Sequence, residues 1–431
     1  MTLSYVWAAF FLVGIIVALI RTFVKMQIVD GVPVFETVFQ PQIFSDLVNG
    51  LIKTSGTAIE LAIGIVGVMI LFLGLLKIGE KAGLIESLSK AVSPFFSVIF
   101  PEIPKNHPAI GHIMMNFSAN LLGLDNAATP FGLKAMESLQ ELNPKKDTAS
   151  NSQIMFTTLL AAGLTFVPVS VIAYRASAGA KDPTDVFLPI LFATTVAALS
   201  AIFIVGIRQR LNFFKPAFIY GLLGIIAFYS LLVALIFYVI PQPQIEGFTQ
   251  FFSSGIILLI IATFLFIALR RKVNVFETFI EGGKEGWSMA VRVMPYLVAM
   301  LAAISVLRNS GVLDFINSGI AFLVESCGGD TRFVDALPTA LMKPLSGSGA
   351  RGMMIETMNT FGADSFAGRL ASVFQGTTDT TFYIMALYFG SVGISKTRYT
   401  LTSCLLAELC GIIAATVLVY IYYSLGIWVD K

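Results

Sequence analysis

Long apolar runs alternate along this chain with short polar, glycine-rich interruptions. Residues 5–20, 154–174, 186–207, 217–240 and 251–269 are each close to the ~20 apolar residues that a membrane-spanning helix needs, and each is predicted to be one. The interruptions come in a repeated order. The first half reads KAGLIESL (81–88), PEIPKNHPAIGH (101–112) and NFSANLLGLDNAATP (116–130). The second half reads NSGVLDFI (309–316), CGGDTRF (327–333) and PLSGSGARG (344–352). The interval from Gly83 to Gly311 equals the interval from Ser118 to Ser346. TFVPVSVIAYRASAG (165–179) is similar to TFYIMALYFGSVG (381–393) with two residues of slip. A constant spacing at two distant landmarks predicts an internal duplication over about 42–210 and 274–425, joined by two plain helices at 217–240 and 251–269. The expected organisation is a first half at 1–215, a linking helix pair at 216–272 and a second half at 273–431.

Composition turns the pattern into a class. The chain is 56% hydrophobic and only 13% charged, against roughly 25% charged in soluble domains. It is predicted to be all-α, a polytopic helical membrane protein. The net charge of +2 points to no nucleic-acid partner. The basic residues gather at the ends of apolar runs (Arg208, Arg210 and Lys215; Arg270, Arg271 and Lys272), which is a positive-inside pattern. Two spans separate these clusters, so both are expected to face the cytoplasm of a bacterial inner membrane. The first apolar run is preceded by no basic residue and followed by Arg21 and Lys25, the reverse of a cleaved signal, so it reads as a retained helix. Cys327, Cys404 and Cys410 form no CxxC pair, and the five-residue spacing of His107 and His112 puts them on different helical faces. Metal knuckles, zinc-hydrolase motifs and nucleophile elbows are lacking, and nothing suggests an enzyme or a resident cofactor. The partners expected are the lipid bilayer, a small-molecule or ion substrate, and a second copy of the chain.

Duplicated membrane proteins with glycine- or proline-interrupted segments at matching places are often secondary transporters, with the substrate site at the repeat interface. Non-helical backbone at membrane depth is tolerated only where protein buries it or a watery cavity receives it. NFSANLLGLDNAATP and KPLSGSGARG (343–352) are therefore expected at the tips of two re-entrant hairpins facing a shared cavity.

Three clusters carry the candidate chemistry. In the first hairpin, Asn116, Ser118, Asn120, Asp125, Asn126 and Thr129 offer amides, a carboxylate and hydroxyls suited to a polar solute or to Na⁺; the plain reading is a polar loop of ordinary turn formers. In the second, Ser346, Ser348 and Arg351 sit among glycines that let backbone amides approach a ligand; the plain reading is a tight turn packed through small residues. The third is QGTTDTTFY (375–383), where Asp379 lies inside an apparent span with Gln375 one turn earlier, surrounded by Thr377, Thr378, Thr380 and Thr381. An intramembrane carboxylate is costly and marks a functional site by default. Its structural reading is an ion pair with Arg351, Arg369 or Arg292. Glu60 and Glu408 also sit in apolar helices and are weaker cases.

At these residues a family resemblance emerges. LGLDNAATPFGLKAMESLQELN (122–143) resembles spore maturation protein A, whereas ALMKPLSGSGARGMM (340–354) and FGADSFAGRLASVFQGTTDTTFYIMALYFGSVGISKTR (361–398) resemble spore maturation protein B. The chain looks like a fusion of the two along nearly its whole length. Both belong to the group with the nucleoside recognition, or Gate, domain, which is similar to parts of the concentrative nucleoside transporters and to the gate region of the ferrous iron transporter B family. The resemblance implies re-entrant hairpins, inverted repeats and movement of a small solute or ion across the inner membrane. The Lys and Arg counts alone leave parallel repeats equally open. Where relatives carry glycine in the GLGNAATP pattern, this chain has Asp125, which adds charge beside the first hairpin and joins Asp379 as a candidate ion-coupling carboxylate. The implied substrate-binding residues are Asn116, Ser118, Asn120, Asn126, Ser346, Ser348, Arg351, Gln375, Thr377, Thr378, Asp379 and Thr380. The implied mechanism is alternating access driven by Na⁺ or H⁺, with a passive or regulated channel and a non-transporting scaffold as the competing readings.

Overall fold

The computed structural model describes residues 2–29, 32–104, 107–121, 125–235 and 245–429. Helix α1 (Thr2–Phe23) leads into an antiparallel pair, β1 (Val24–Val29) and β2 (Val32–Thr37). These two strands flank the sequence pair Asp30-Gly31, a strong short-range hairpin signal. Apart from them the fold is all-α.

Seven helices follow: α2 (Gln42–Lys81), α3 (Leu84–Ile99), α4 (Pro108–Leu121), α5 (Asp125–Leu142), α6 (Asn151–Ala161), α7 (Val169–Ser177) and α8 (Phe187–Arg208). Two apolar helices, α9 (Pro216–Ala234) and α10 (Ile245–Arg270), link to a second series. That series is α11 (Val275–Asn309), α12 (Val312–Ser326), α13 (Leu337–Met342), α14 (Gly347–Phe361), α15 (Phe366–Thr377), α16 (Thr381–Ser391) and α17 (Thr400–Ser424). Long helix, short helix, hairpin, broken helix and closing helix recur in the same order. The apolar run 154–174, expected as one span, is two helices, because Gly163 takes φ +64° and Pro168 removes a backbone donor. Among the described residues α2, α8 and α17 are long and apolar enough to cross a membrane, and the end of α11 with α12 makes a pair bent by 68°. Large apolar side chains such as Ile63, Leu259, Phe266 and Leu409 point outward, as lipid-facing positions do.

The direction of packing settles the relation between the halves. The 40-residue α2 and the 35-residue α11 lie against each other in opposite senses. Gly50 meets Ser305 and Asn309, Gly74 meets Phe279, and Gly286 lies against the backbone of Met69 and Ile70. In α8 and α17, Arg208 reaches Thr402 while Gly411 meets Ala197, again antiparallel. Equivalent helices running in opposite directions make inverted repeats. Close approach through glycine suits helices in lipid, where burying apolar area supplies little drive.

The spacing between equivalent residues shrinks along the repeat. Gly83 and Gly311 open α3 and α12 from left-handed conformations, with φ of +73° and +81°. Ser118 and Ser346 are not equivalent: the first lies inside α4, the second caps α14. Asp125 and Gly347, which open the second hairpin arms, lie closer in sequence than Gly83 and Gly311. The Thr-Phe pairs at 165 and 381 lie closer still. Shorter connections in the second half absorb the difference.

The outer ends of the broken helices are fastened symmetrically. Ser150 and Ser365 cap α6 and α15, each accepting from a backbone N–H three residues on, and Gln153 completes a capping box at the first. Ser150→Ala is expected to cost about 1 kcal/mol, read as a lowered thermal midpoint in detergent. The loop after α16 holds the start of α6: Arg398 donates to Ala149 O and to Asn151 Oδ1, and Lys396 pairs with Asp147 at 2.7 Å. The hydrogen bond from Lys396 holds the Asp147 carboxyl below the usual carboxylate range, so this exposed pair stays charged well into acid. Helix α7 and the loop after it hold the start of α15 through a cluster of two buried arginines, Arg175 and Arg369, with the partly buried Asp185 and Asp364.

Candidate functional site

The two broken helices meet end to end, and each break lies under its own repeat's hairpin. In a continuous helix Ala161 O would accept from Thr165 N, and Gln375 O from Asp379 N. Instead Asp379 N donates to Ala161 O at 2.9 Å, joining the breaks of the two repeats. Gln375 O is satisfied by Lys343 Nζ at 2.7 Å, reaching in from the second hairpin tip. Gly163, in its left-handed conformation, lies flat against Thr378 and Asp379.

The hairpins repeat this substitution. Phe166 N would bond Ala162 O in a helix but donates to Leu121 O, at the end of α4, at 2.8 Å. Its equivalent in the second repeat, Phe382 N, donates to Pro344 O at 3.1 Å. These backbone groups freed by the breaks thus find partners on other elements, as burial away from water demands. The following helices complete the pattern. Thr194 Oγ1 on α8 donates to Gly163 O at 2.9 Å, and Glu408 on α17 accepts from Thr378 Oγ1 at 3.3 Å and from Thr381 Oγ1 at 3.2 Å.

Several of the predicted site residues belong to the elements that meet here, with unequal roles. Asn116 is buried and staples its own hairpin, donating from Nδ2 to Ala128 O at 2.6 Å, and Asn120 donates to Asn116 Oδ1. The side chains of Asp125 and Asn126 lie outside the described residues. Ser346 caps α14 by accepting from Gly349 N and shares a hydrogen bond with Ser348. Arg351 donates to Gly347 O in its own helix and interacts with Tyr174 of α7. Thr377 bonds back to Val373 O, and Thr380 lies against Gly347 at the hairpin tip. Gln375 and Asp379 do not share a helical face. α15 ends at Thr377, and Thr378 is extended at φ −136°, ψ 175°. A run of β-branched threonines weakens the helix, and the partners described above stabilise the break.

Asp379 is the exposed carboxylate at the junction. Its Oδ1 accepts from Thr380 N at 2.7 Å, and among the described residues it forms no ion pair. Arg369, one of its proposed partners, pairs with Asp185 instead. Phe166 and Tyr383, three residues after Gly163 and four after Asp379, are large exposed side chains, 39% and 60% exposed respectively. Several buried polar atoms lack a partner among the described residues: Ser118 Oγ, Thr157 Oγ1, Thr339 Oγ1 and Gln375 Oε1. They belong to α4, α6, α13 and α15, the four helices that run into the junction. Glu60 is elsewhere, in a depression of about 430 Å³ with Thr57, Gly64, Ala176 and Ser177 at the far end of α7.

The sequence by itself gives Glu408 little weight, singles out neither Gly163 nor Thr194, and leaves Thr381 without a role. The repeated Thr-Phe pair, which marks the equivalent point of both breaks, could have pointed to Gly163 and Thr381; no signal in the sequence ties Glu408 or Thr194 to the breaks.

Two segments of the chain, 62–181 and 290–395, match the family model described as Gate: nucleoside recognition. The chain belongs to the Gate family. The ends of the two matched segments lie closer in sequence than their starts, the same shrinkage seen between the repeats. The chain is 44% identical to spore maturation protein B of Bacillus subtilis over 172 residues, covering 40% of this chain and 95% of that protein. It is 41% identical to spore maturation protein A of the same organism over 159 residues, covering 37% of this chain and 81% of that protein. Two separate proteins there correspond to parts of one chain here, as in a fusion. The YdaH transporter of Alcanivorax borkumensis aligns over 99% of this chain and 98% of its own, with a TM-score of 0.40 and 13% identity. This Gate protein is a multi-pass helical membrane protein.

Proposed function

We propose that this Gate protein is an ion-coupled secondary transporter of a small polar solute in the bacterial inner membrane. The observation that carries the reading is the meeting of two inverted breaks, joined from Asp379 N to Ala161 O and each covered by its own hairpin. Inverted repeats with discontinuous helices at a shared centre are the architecture in which one repeat rocks against the other around a fixed site. Asp379 is the carboxylate that meets the solute, and the exposed rings of Phe166 and Tyr383, which follow the two breaks in sequence, offer it apolar and aromatic surface. A carboxylate together with exposed aromatic rings suits a solute with hydroxyl or N–H donors and a flat face, and the family description makes nucleoside-like compounds the first to test.

The test is a thermal-shift screen of the purified full-length protein in detergent with nucleosides, bases, amino acids, nucleotides, Na⁺ and divalent ions. A ligand at 100 times its dissociation constant stabilises the folded state by about 2.7 kcal/mol. Asp379→Asn is expected to abolish the shift produced by the active compound while leaving the unliganded midpoint unchanged, because Asp379 is exposed and in no ion pair among the described residues. No shift with any compound in the wild type would refute the transporter reading. A shift retained in Asp379→Asn would move the solute off this carboxylate.

A further inference from the structure

We propose that Glu408 carries the coupling proton and that its protonation releases the hinge of the second repeat; the proposal rests on the transporter reading above. The charge at the junction is lopsided. Helices α8 and α17 cross where Ala197 meets Gly411, and at the same spacing along the chain Glu408 answers to Thr194. Both tie down a break, but differently. Thr194 donates its hydroxyl to the carbonyl oxygens of Gly163 and Ala162, a contact that no change of pH alters. Glu408 takes the hydroxyls of Thr378 and Thr381, one on each side of the second break, with its two carboxylate oxygens. It is therefore a strut across the hinge, and its two oxygens work together only while the group is ionised. A protonated carboxyl keeps one good acceptor and gains one donor, so one of the two threonine hydroxyls must turn from donating to accepting, and the two charge-assisted bonds that hold the strut are weakened. The atoms balance simply: one proton enters from water on one side of the membrane, resides on a carboxylate oxygen, and leaves to the other side.

Glu408 is 2% exposed, on a helix long and apolar enough to cross the membrane. Its surroundings from every packed element are few. Lys343, on the second hairpin tip, and Asp379, on the break, are the charges that act on it, and Cys404 lies one turn earlier on its own helix. Helix α6 brings no titratable side chain, α8 only Arg208 at its far end, α15 only Arg369 at its far end, and α16 Tyr383 and Tyr388. Lys343 couples the proton to movement. It is 5% exposed and anchored on Gln375 O, so it stays beside the carboxylate only while the second hairpin sits on the break. When that hairpin lifts off the break of its own repeat, the cation leaves the carboxylate, and the carboxylate takes a proton in its place.

The experiment is an infrared titration of the purified full-length protein in detergent, following the carbonyl stretch of protonated carboxylic acids against pH. It requires no solute, so it answers even if the thermal-shift screen finds none. The wild type is expected to show a titrating band that disappears in Glu408→Gln and persists in Asp379→Asn. In Lys343→Met the same band is expected to titrate about one pH unit or more higher, a tenfold gain in proton affinity, because removing a nearby cation disfavours the ionised form. Glu408→Gln keeps an acceptor for one threonine; if it nevertheless fails to fold, the displaced titration in Lys343→Met carries the test. A band unchanged in Glu408→Gln, a band lost in Asp379→Asn, or a titration indifferent to Lys343→Met would each overturn the proposal. With a solute in hand, Glu408→Gln in proteoliposomes is expected to bind it and to lose pH-driven accumulation.

Discussion

Replacing Gly163 by alanine is expected to part the two broken helices. The residue sits at φ +64°, which costs an L side chain about 1–3 kcal/mol where the surroundings enforce it. The added methyl group would lie 2.8 Å from Asp379 N, 2.8 Å from Thr378 C and 3.0 Å from Thr378 Cα. All three are backbone atoms, so no change of rotamer relieves the contact and the second break must retreat. The bond from Asp379 N to Ala161 O then fails, exposing a donor and an acceptor together. Gly179→Ala is the control. It has the same kind of left-handed conformation, at φ +78°, but nothing within 4 Å of the added carbon. Both variants are expected to lower the thermal midpoint, and Gly163→Ala should do so much more. Hydrogen exchange separates the mechanisms: the Asp379 amide should lose protection in Gly163→Ala alone. Equal midpoints and equal protection in the two variants would mean that the junction is not held by this contact.

Arg175→Ala is expected to be the most damaging change away from the junction. The guanidinium is wholly buried and ties α7 of the first repeat to the turn before α15 of the second. It donates to Ala363 O at 2.7 Å, to Asp185 Oδ1 at 2.8 Å and to Asp364 Oδ1 at 3.1 Å. Asp185 also accepts from Arg369 Nε at 2.9 Å, and Arg369 continues to the hydroxyl of Tyr423 and the ring of Trp428. Removing Arg175 leaves Asp364 without its cation and Asp185 with Arg369 alone; breaking a buried ion pair typically costs about 3–5 kcal/mol, less here because Asp364 is 27% exposed. The expected result is a large fall in thermal midpoint for Arg175→Ala, partly restored by Arg175→Met with Asp364→Leu, because that double change removes the unpaired carboxylate and leaves the pair of Asp185 with Arg369 intact. If the double change proved no better than the single one, the cluster's value would lie in the backbone contact to Ala363 rather than in the ion pairs. At the opposite end Lys396→Ala should have little effect, since Lys396 and Asp147 are 69% and 55% exposed and water and salt screen their attraction. One end of the inverted pair is thus fastened by buried charge and the other by an exposed contact, a difference that allows the two ends to open at different cost.

Class and duplication were legible in the sequence because they depend on local composition. Apolar runs report lipid, and a repeated order of polar interruptions reports two copies of one plan. The bounds expected for the copies, about 42–210 and 274–425, fall within a few residues of the ends of α2, α8, α11 and α17. The Thr-Phe pairs at 165 and 381 even marked the equivalent hydrogen bonds that seat the hairpins. What the sequence left open was direction, since charge counts around short helices fit either orientation. The antiparallel contacts of α2 with α11 and of α8 with α17 decide it.

The break in QGTTDTTFY belongs to the tertiary structure. No glycine or proline falls at residues 378–380, and the stretch reads as a helix with Gln375 above Asp379. Its interruption depends on acceptors and donors supplied from far along the chain: Ala161, Lys343, Pro344 and Glu408. The same dependence hid Glu408, which in its own helix is one acid among apolar neighbours. Only packing shows that it spans a hinge, because a side chain's role is set by the groups it faces, and those belong to other elements of the fold.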